Sequence, residues 1–266
     1  MDDPGVLDGL RKRLQRERAA RREAENIAER VTSDFYRVNA ELAAANESLR
    51  GFVAITAHDL RGPLTGMLGV ASTLSRRWPD LTPEQIAEML AVLHRQGHRM
   101  ARLVDDLLTI SRIDAGAVEA MAEVVGLRDV MADLLNDFDT RRDDIHVTLS
   151  DLYAVVDPDH LQRIVGNYVR NALTYGSPPI EVETRDAGAW VEIVVRDHGA
   201  GVPDDMVPLL FGKFVRGRGS AQAGGTGLGL SIVRGLAQVN GGDTWYEHNE
   251  PHGSCFGVRL RKRDAA

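Results

Sequence analysis

Asn167 and Asn171 stand four residues apart in the stretch DPDHLQRIVGNYVRNALTYG. In a helix that spacing puts both amides on one face, one turn apart. Asparagine competes for backbone hydrogen bonds and is uncommon inside helices, so two on one face want a polar partner: water, a metal or a phosphate. Some twenty-five residues on, RDHGAGVP places Asp197 at the end of an apolar run, followed by Gly199 and Gly201. Glycine permits close backbone approach. There Asp197 is suited to accept a hydrogen bond from an amino group on a flat ring. A third stretch, GGTGLGLSIV, carries Gly224, Gly225, Gly227 and Gly229 into an apolar helix that begins near Leu228. Backbone N–H groups at a helix N-terminus cradle phosphate. No GK[ST] follows, so this is not the phosphate loop of other NTPases.

A fourth stretch, TAHDLRGPLTGM, holds His58 and Asp59 side by side and then Pro63. Proline inside a helix removes a hydrogen bond and crowds the carbonyl four residues back, at a cost of roughly 3 kcal/mol. That carbonyl belongs to Asp59. The residues alone fit a kinked surface helix with a solvated histidine and leave open why an ionisable pair stands beside a helix breaker.

The elements that must position these groups fall into two modules. Residues from about 5 to 76 read as helix. Between Ala24 and Thr56 a heptad runs through Ala24, Val31, Val38, Ala45 and Phe52, with a second column of Ala28, Phe35, Leu42, Leu49 and Thr56. This register predicts a coiled coil. The basic run before it, LRKRLQRERAARR, reads as a solvated helix face, with a polyanion or acidic-partner site as the sharper alternative. Trp78-Pro79-Asp80 ends the first helix, and Thr82, Pro83 and Gln85 start a second with the signature of a capping box. The second helix carries Ile86, Leu90, Leu93, Gly97, Met100, Val104 and Leu107 and stops near Gly116. Two long helices on a short loop form an antiparallel hairpin, and pairing two hairpins covers its apolar stripe in a four-helix bundle. From about Leu127, helices alternate with mostly antiparallel strands, which predicts an α+β sandwich.

Composition narrows the classes. The 266 residues are 43% hydrophobic and 27% charged, with a net charge of -7, so a global grip on nucleic acid is not expected. A single cysteine, Cys255, excludes an intramolecular disulfide framework and a cysteine zinc cluster and fits a reducing cytoplasm. It reads as a small core residue. No apolar run approaches 18 residues, so no membrane span is expected, nor is an N-terminal export signal seen.

In their fixed order the motifs resemble those of the sensor histidine kinases of two-component signalling. GNYVRNALTYG matches that family's asparagine box, RDHGAGVP its first glycine box, LFGKFVRG its phenylalanine box and GGTGLGLSIV its second glycine box. FVAITAHDLRGPL is similar to the box around the phosphorylated histidine. The resemblance covers about residues 45–261 and implies three parts: a signalling helix over 1–50, a dimerising phosphotransfer hairpin over 51–116, and an ATP-binding α/β sandwich over 124–263. It implies that His58 accepts the phosphoryl group, that Asp59 takes the imidazole proton, and that Pro63 lets the helix bend beside the ring. ATP and Mg²⁺ are the implied cofactors. Asn171 holds the metal, Asn167 lies near the phosphates, Tyr175 packs on adenine, and Asp197 accepts from the adenine amino group. Gly199 and Gly201 shape that pocket, Lys213 and Arg216 steady the phosphates, and Gly225, Gly227 and Gly229 border them in a lid running from Arg216. The implied partners are a second copy, a response-regulator receiver domain and a separate sensor protein at the N-terminal helix.

Two positions depart from the family pattern. Gly62 stands where a Thr or Asn four residues past the histidine is linked to dephosphorylating the partner, which points to weak phosphatase activity. Thr174 replaces a basic residue before Tyr175, shifting phosphate contacts to Lys213, Arg216 or Arg218. Two other classes compete: a scaffold that keeps only the fold, and a serine kinase of the same ATPase family. The intact boxes argue against the first and the His58 helix against the second. His94 and His98 have the one-turn spacing of metal ligands, but no third ligand is evident and they read as surface histidines.

Overall fold

The computed structural model describes residues 4–136, 138–215, 217 and 227–263. The chain divides into two compact units, Met1–Ala57 and His58–Ala266. The first unit is helix, the leading part of α1 (Pro4–Arg77). Its heptad side chains Val31, Phe35, Val38 and Leu42 are all more than half exposed. A stripe of that kind, uncovered along a helix, is what a coiled-coil seam looks like without its partner strand.

In the second unit α1 continues through Pro63 to Arg77, and a short 3₁₀ turn, Trp78–Asp80, leads to α2 (Pro83–Asp114). The capping box forms: Thr82 Oγ1 accepts from the Gln85 amide, and the Gln85 side chain accepts from the Thr82 amide. Together these satisfy two otherwise unpaired helix-end donors, worth about 1 kcal/mol.

The remainder is a sandwich of one seven-stranded sheet with helices on one face. Its strands are β1 (Glu123–Gly126), β2 (Ile145–Thr148), β3 (Tyr153–Val156), β4 (Ile180–Ala187), β5 (Trp190–Arg196), β6 (Asp243–His248) and β7 (Ser254–Arg263). The order is β1-β3-β7-β5-β4-β2; β6 pairs with β7 over Ser254–Arg259, ahead of the β3 pairing at Arg261–Arg263. Only β2–β4 is parallel. The described residues of this part form three α-helices: α3 (Leu127–Asn136), α4 (Pro158–Tyr175) and α5 (Gly229–Val239). β1 escaped the sequence reading, because EVVG is four residues long and buries only Val125.

Alternation explains the core. Val191, Ile193 and Val195 of β5 and Val258 and Leu260 of β7 point inward and are essentially fully buried, against Leu161, Ile164, Val165 and Tyr168 of α4 and Ile232, Val233 and Leu236 of α5. Tyr168 keeps its hydroxyl satisfied by donating to the Gly257 carbonyl, 3.0 Å away. On the opposite face Arg196 pairs with Glu183 at 2.6 Å. Asp157 caps α4, accepting from the Asp159 and His160 amides, while Asn240 after α5 accepts from the Asp157 amide. This polar tie sets the entry of α4 against the exit of α5.

Candidate functional site

Asp197 follows directly on β5 and is 4% exposed. Its Oδ1 accepts from the Gly199 amide at 2.8 Å and the Ser254 amide at 3.3 Å. Its backbone is held as well: its amide donates to the Ser254 carbonyl, and Asn249 Nδ2 donates to its carbonyl. Three glycines press on it. A Cβ on Gly176 would overlap the Asp197 side chain, and one on Gly253, where φ is +124°, would overlap the Asp197 carbonyl oxygen. A Cβ on Gly199 would stand 2.7 Å from the Gly176 Cα. Burial pushes the Asp197 carboxyl above its ordinary value, against the pull of the Gly199 and Ser254 amides. The result is a fixed, partly desolvated acceptor.

Gly176 caps α4, so Asp197 lies at the C-terminal end of that helix. Counting back along one face come Tyr175, Asn171 and Asn167, a span on the order of 12 Å at 1.5 Å per residue. Tyr175 is half exposed and Asn171 half buried. Asn167 is 9% exposed; its Oδ1 accepts from Arg170 at 3.4 Å, while its Nδ2 is buried without a partner among the described residues. A buried amide donor left unmade costs about 1–3 kcal/mol, and a ligand acceptor would recover it. Beside it begins α5: a Cβ on Gly229 would stand 3.3 Å from Asn167 Oδ1. The N-cap of α5, Leu228, makes no side-chain cap. Gly227 adopts φ +69° and its carbonyl accepts from the Phe214 amide. A Cβ there would strike the Phe214 backbone at 2.9 Å. An orphaned donor beside the start of α5 at one end, with a buried acceptor at the other, fits a nucleoside triphosphate.

Gly201 also has positive φ, +74°, and its missing Cβ leaves 3.0 Å to the Gly253 carbonyl oxygen. Lys213 is paired with Asp114 at the end of α2, 2.6 Å to Oδ1. Arg216 and Gly225 lie outside the described residues. Gly176, Gly253, Ser254 and Asn249 were missed by sequence reasoning. The glycine of PHGSCF looks like any turn glycine until the strand pairing lays it on Asp197.

His58 is 84% exposed at its side chain, and its Nδ1 lies 3.2 Å from Asp59 Oδ1, whose side chain is 11% exposed. With Nδ1–H donating to that carboxylate, the tautomer leaves the Nε2 lone pair pointing to solvent. The hairpin also meets the sandwich. Arg163 of α4 pairs with Asp106 at 3.0 Å, and Gly235 of α5 packs so closely that a Cβ would come within 2.8 Å of the Ile113 side chain. Burial pushes the Asp106 carboxyl up even with Arg163 beside it.

Comparison with known proteins accords with this arrangement. Residues 156–264 match the family of histidine kinase-, DNA gyrase B- and HSP90-like ATPases, and residues 48–116 the His kinase A (phosphoacceptor) domain. The signal transduction histidine-protein kinase AfsQ2 of Streptomyces coelicolor is 28% identical over 255 residues, 89% of this chain and 45% of that protein. The sensor histidine kinase WalK of Bacillus subtilis is 30% identical over 230 residues, 81% of this chain and 37% of that protein. The chain thus spans less than half the length of these relatives. The histidine kinase AdeS of Acinetobacter baumannii shares the fold, with a TM-score of 0.62 at 20% identity over 78% of this chain and 98% of that one. With a phosphoacceptor hairpin followed by a GHKL-type ATPase sandwich, the chain belongs to the sensor histidine kinases of two-component systems.

Proposed function

We propose that this chain is an ATP-dependent protein histidine kinase that phosphorylates His58 and passes the phosphoryl group to an aspartate of a response-regulator receiver domain. The observation that carries the reading is the α4 face, with the unpartnered Asn167 amide beside the start of α5 at one end and buried Asp197 at the other. Both amide donors to Asp197 fall on Oδ1, so we assign Oδ2 to the adenine amino group. Tyr175 covers the ring, and Gly199 and Gly201 leave room for it. Asn167, Gly227 and Gly229 border the phosphates, together with Gly225 and Arg216, and Asn171 is the residue assigned to Mg²⁺. Bound ATP supplies the phosphoryl group, and Mg²⁺ neutralises its charge. Asp59 holds the Nδ1 proton of His58 and keeps Nε2 free to react. Lys213, paired with Asp114, must leave that partner to steady phosphate. Positioning and charge carry most of phosphoryl-transfer catalysis, so closure of the sandwich on the hairpin is the step these residues prepare.

The exposed heptad stripe supports a homodimer, and the N-terminal helix is the assigned entry for a signal from a separate sensor protein. Gly62 offers no side chain to orient water, so dephosphorylation of the regulator is weak. We place these domains in the cytoplasm, where ATP is available. No helix among the described residues is long and apolar enough to cross a membrane. Incubation with γ-labelled ATP and Mg²⁺ tests the reading: the label should be acid-labile, and His58→Gln should abolish it while nucleotide binding persists. Acid-stable label, or label surviving in His58→Gln, refutes it.

A further inference from the structure

His94 and His98 lie one turn apart on the exposed surface of α2, and their Nε2 atoms converge to 3.0 Å with ring centroids 4.3 Å apart. Two imidazoles that only share a helix face need not point the same nitrogen at a common spot. At 3.0 Å the two nitrogens share a hydrogen bond, and a metal ion between them would take the place of the shared proton. One turn away on the same helix stand Leu90, Ala91, Arg95, Gly97, Ala101 and Arg102, none of which has an oxygen-bearing side chain. Among the described residues no group of three ligating side chains forms anywhere. A hard, oxygen-seeking ion such as Mg²⁺ or Ca²⁺ finds no oxygen-bearing side chain one turn away on this helix.

We propose that His94 and His98 form a two-imidazole chelate for a divalent transition metal, Cu²⁺ ahead of Ni²⁺ by the affinity order of nitrogen ligands, with water in the remaining positions. In the metal-free pair one Nε2–H donates to the other Nε2. Binding requires both rings as Nδ1–H tautomers, so that proton shifts to Nδ1 by exchange with solvent and no net charge leaves the pair.

The test is calorimetric titration of the full chain with CuCl₂ and with NiCl₂, with electron paramagnetic resonance of the Cu²⁺ form to count nitrogen ligands. The wild type should take up one Cu²⁺ per chain with micromolar affinity and a two-nitrogen spectrum. His94→Gln and His98→Gln should each weaken that event at least tenfold, and the double variant should lose it. In metal-free buffer the double variant should label His58 like the wild type, showing that its fold is intact. Equal Cu²⁺ uptake by the double variant would place the binding at other histidines and overturn the proposal, as would a wild type that binds no Cu²⁺ tighter than millimolar.

Discussion

Asp197→Asn separates binding from stability, because the two should move in opposite directions. Asparagine is isosteric and can keep its amide oxygen where Oδ1 now accepts from Gly199 and Ser254. Its Nδ2 then occupies the Oδ2 position and presents a donor to the donor of an adenine amino group. A hydrogen bond to a charged group contributes about 1.5–3 kcal/mol, so nucleotide affinity should fall roughly 10- to 150-fold. The folded state should not suffer. Burial holds the Asp197 carboxyl above its ordinary value, so the charged form is disfavoured by folding. At neutral pH that residue subtracts from stability; the penalty fades as pH falls through the raised folded value and is gone below the unfolded one. A neutral asparagine removes it at pH 7. Calorimetric titration with ADP and Mg²⁺ measures the first effect, and thermal unfolding of the same samples the second. An unchanged dissociation constant would refute the assignment of Oδ2. A melting temperature several degrees lower would refute the view that Asp197 is held for its ligand at a cost to the fold.

Gly253→Ala should behave in the opposite way: backbone strain at φ +124° alone costs about 1–3 kcal/mol, and the clash with the Asp197 carbonyl adds to it, so melting temperature and ADP affinity should drop together. Cys255 is 4% exposed and burial pushes its thiol up to about 11, so at pH 8 its thiolate fraction is about 100-fold below that of an ordinary thiol. Iodoacetamide should therefore modify it at least that much more slowly in the native chain than in urea, and since the unfolded thiol ionises first, stability should decline as pH climbs from about 9 towards 11. A Cβ at Gly62 meets nothing within 4 Å, so Gly62→Thr should fold, gain a few tenths of a kcal/mol of helix propensity and speed the decay of a phosphorylated receiver domain relative to the wild type.

Short-range patterns announced much of this protein. The capping box at Thr82 and Gln85 depends on neighbours a few residues away and appears as read. The pairing of His58 with Asp59 is local in the same way, and so is the one-turn spacing of Asn167 and Asn171. What the sequence could not determine depends on long-range approach. Gly253 bears on Asp197 only because β7 lies beside β5 and brings a residue 56 positions on against it. Lys213 is read from its motif as a phosphate ligand, yet packing gives it Asp114 from the end of α2. Gly235, unremarkable in an apolar helix, is where α5 makes room for Ile113. The convergence of His94 and His98 shows the boundary most sharply: spacing put both rings on one helix face, but only side-chain rotamers in the folded chain brought the two Nε2 atoms to 3.0 Å. Periodicity and capping are encoded in a few adjacent residues, whereas backbone contact is fixed by the packing of segments far apart in the chain.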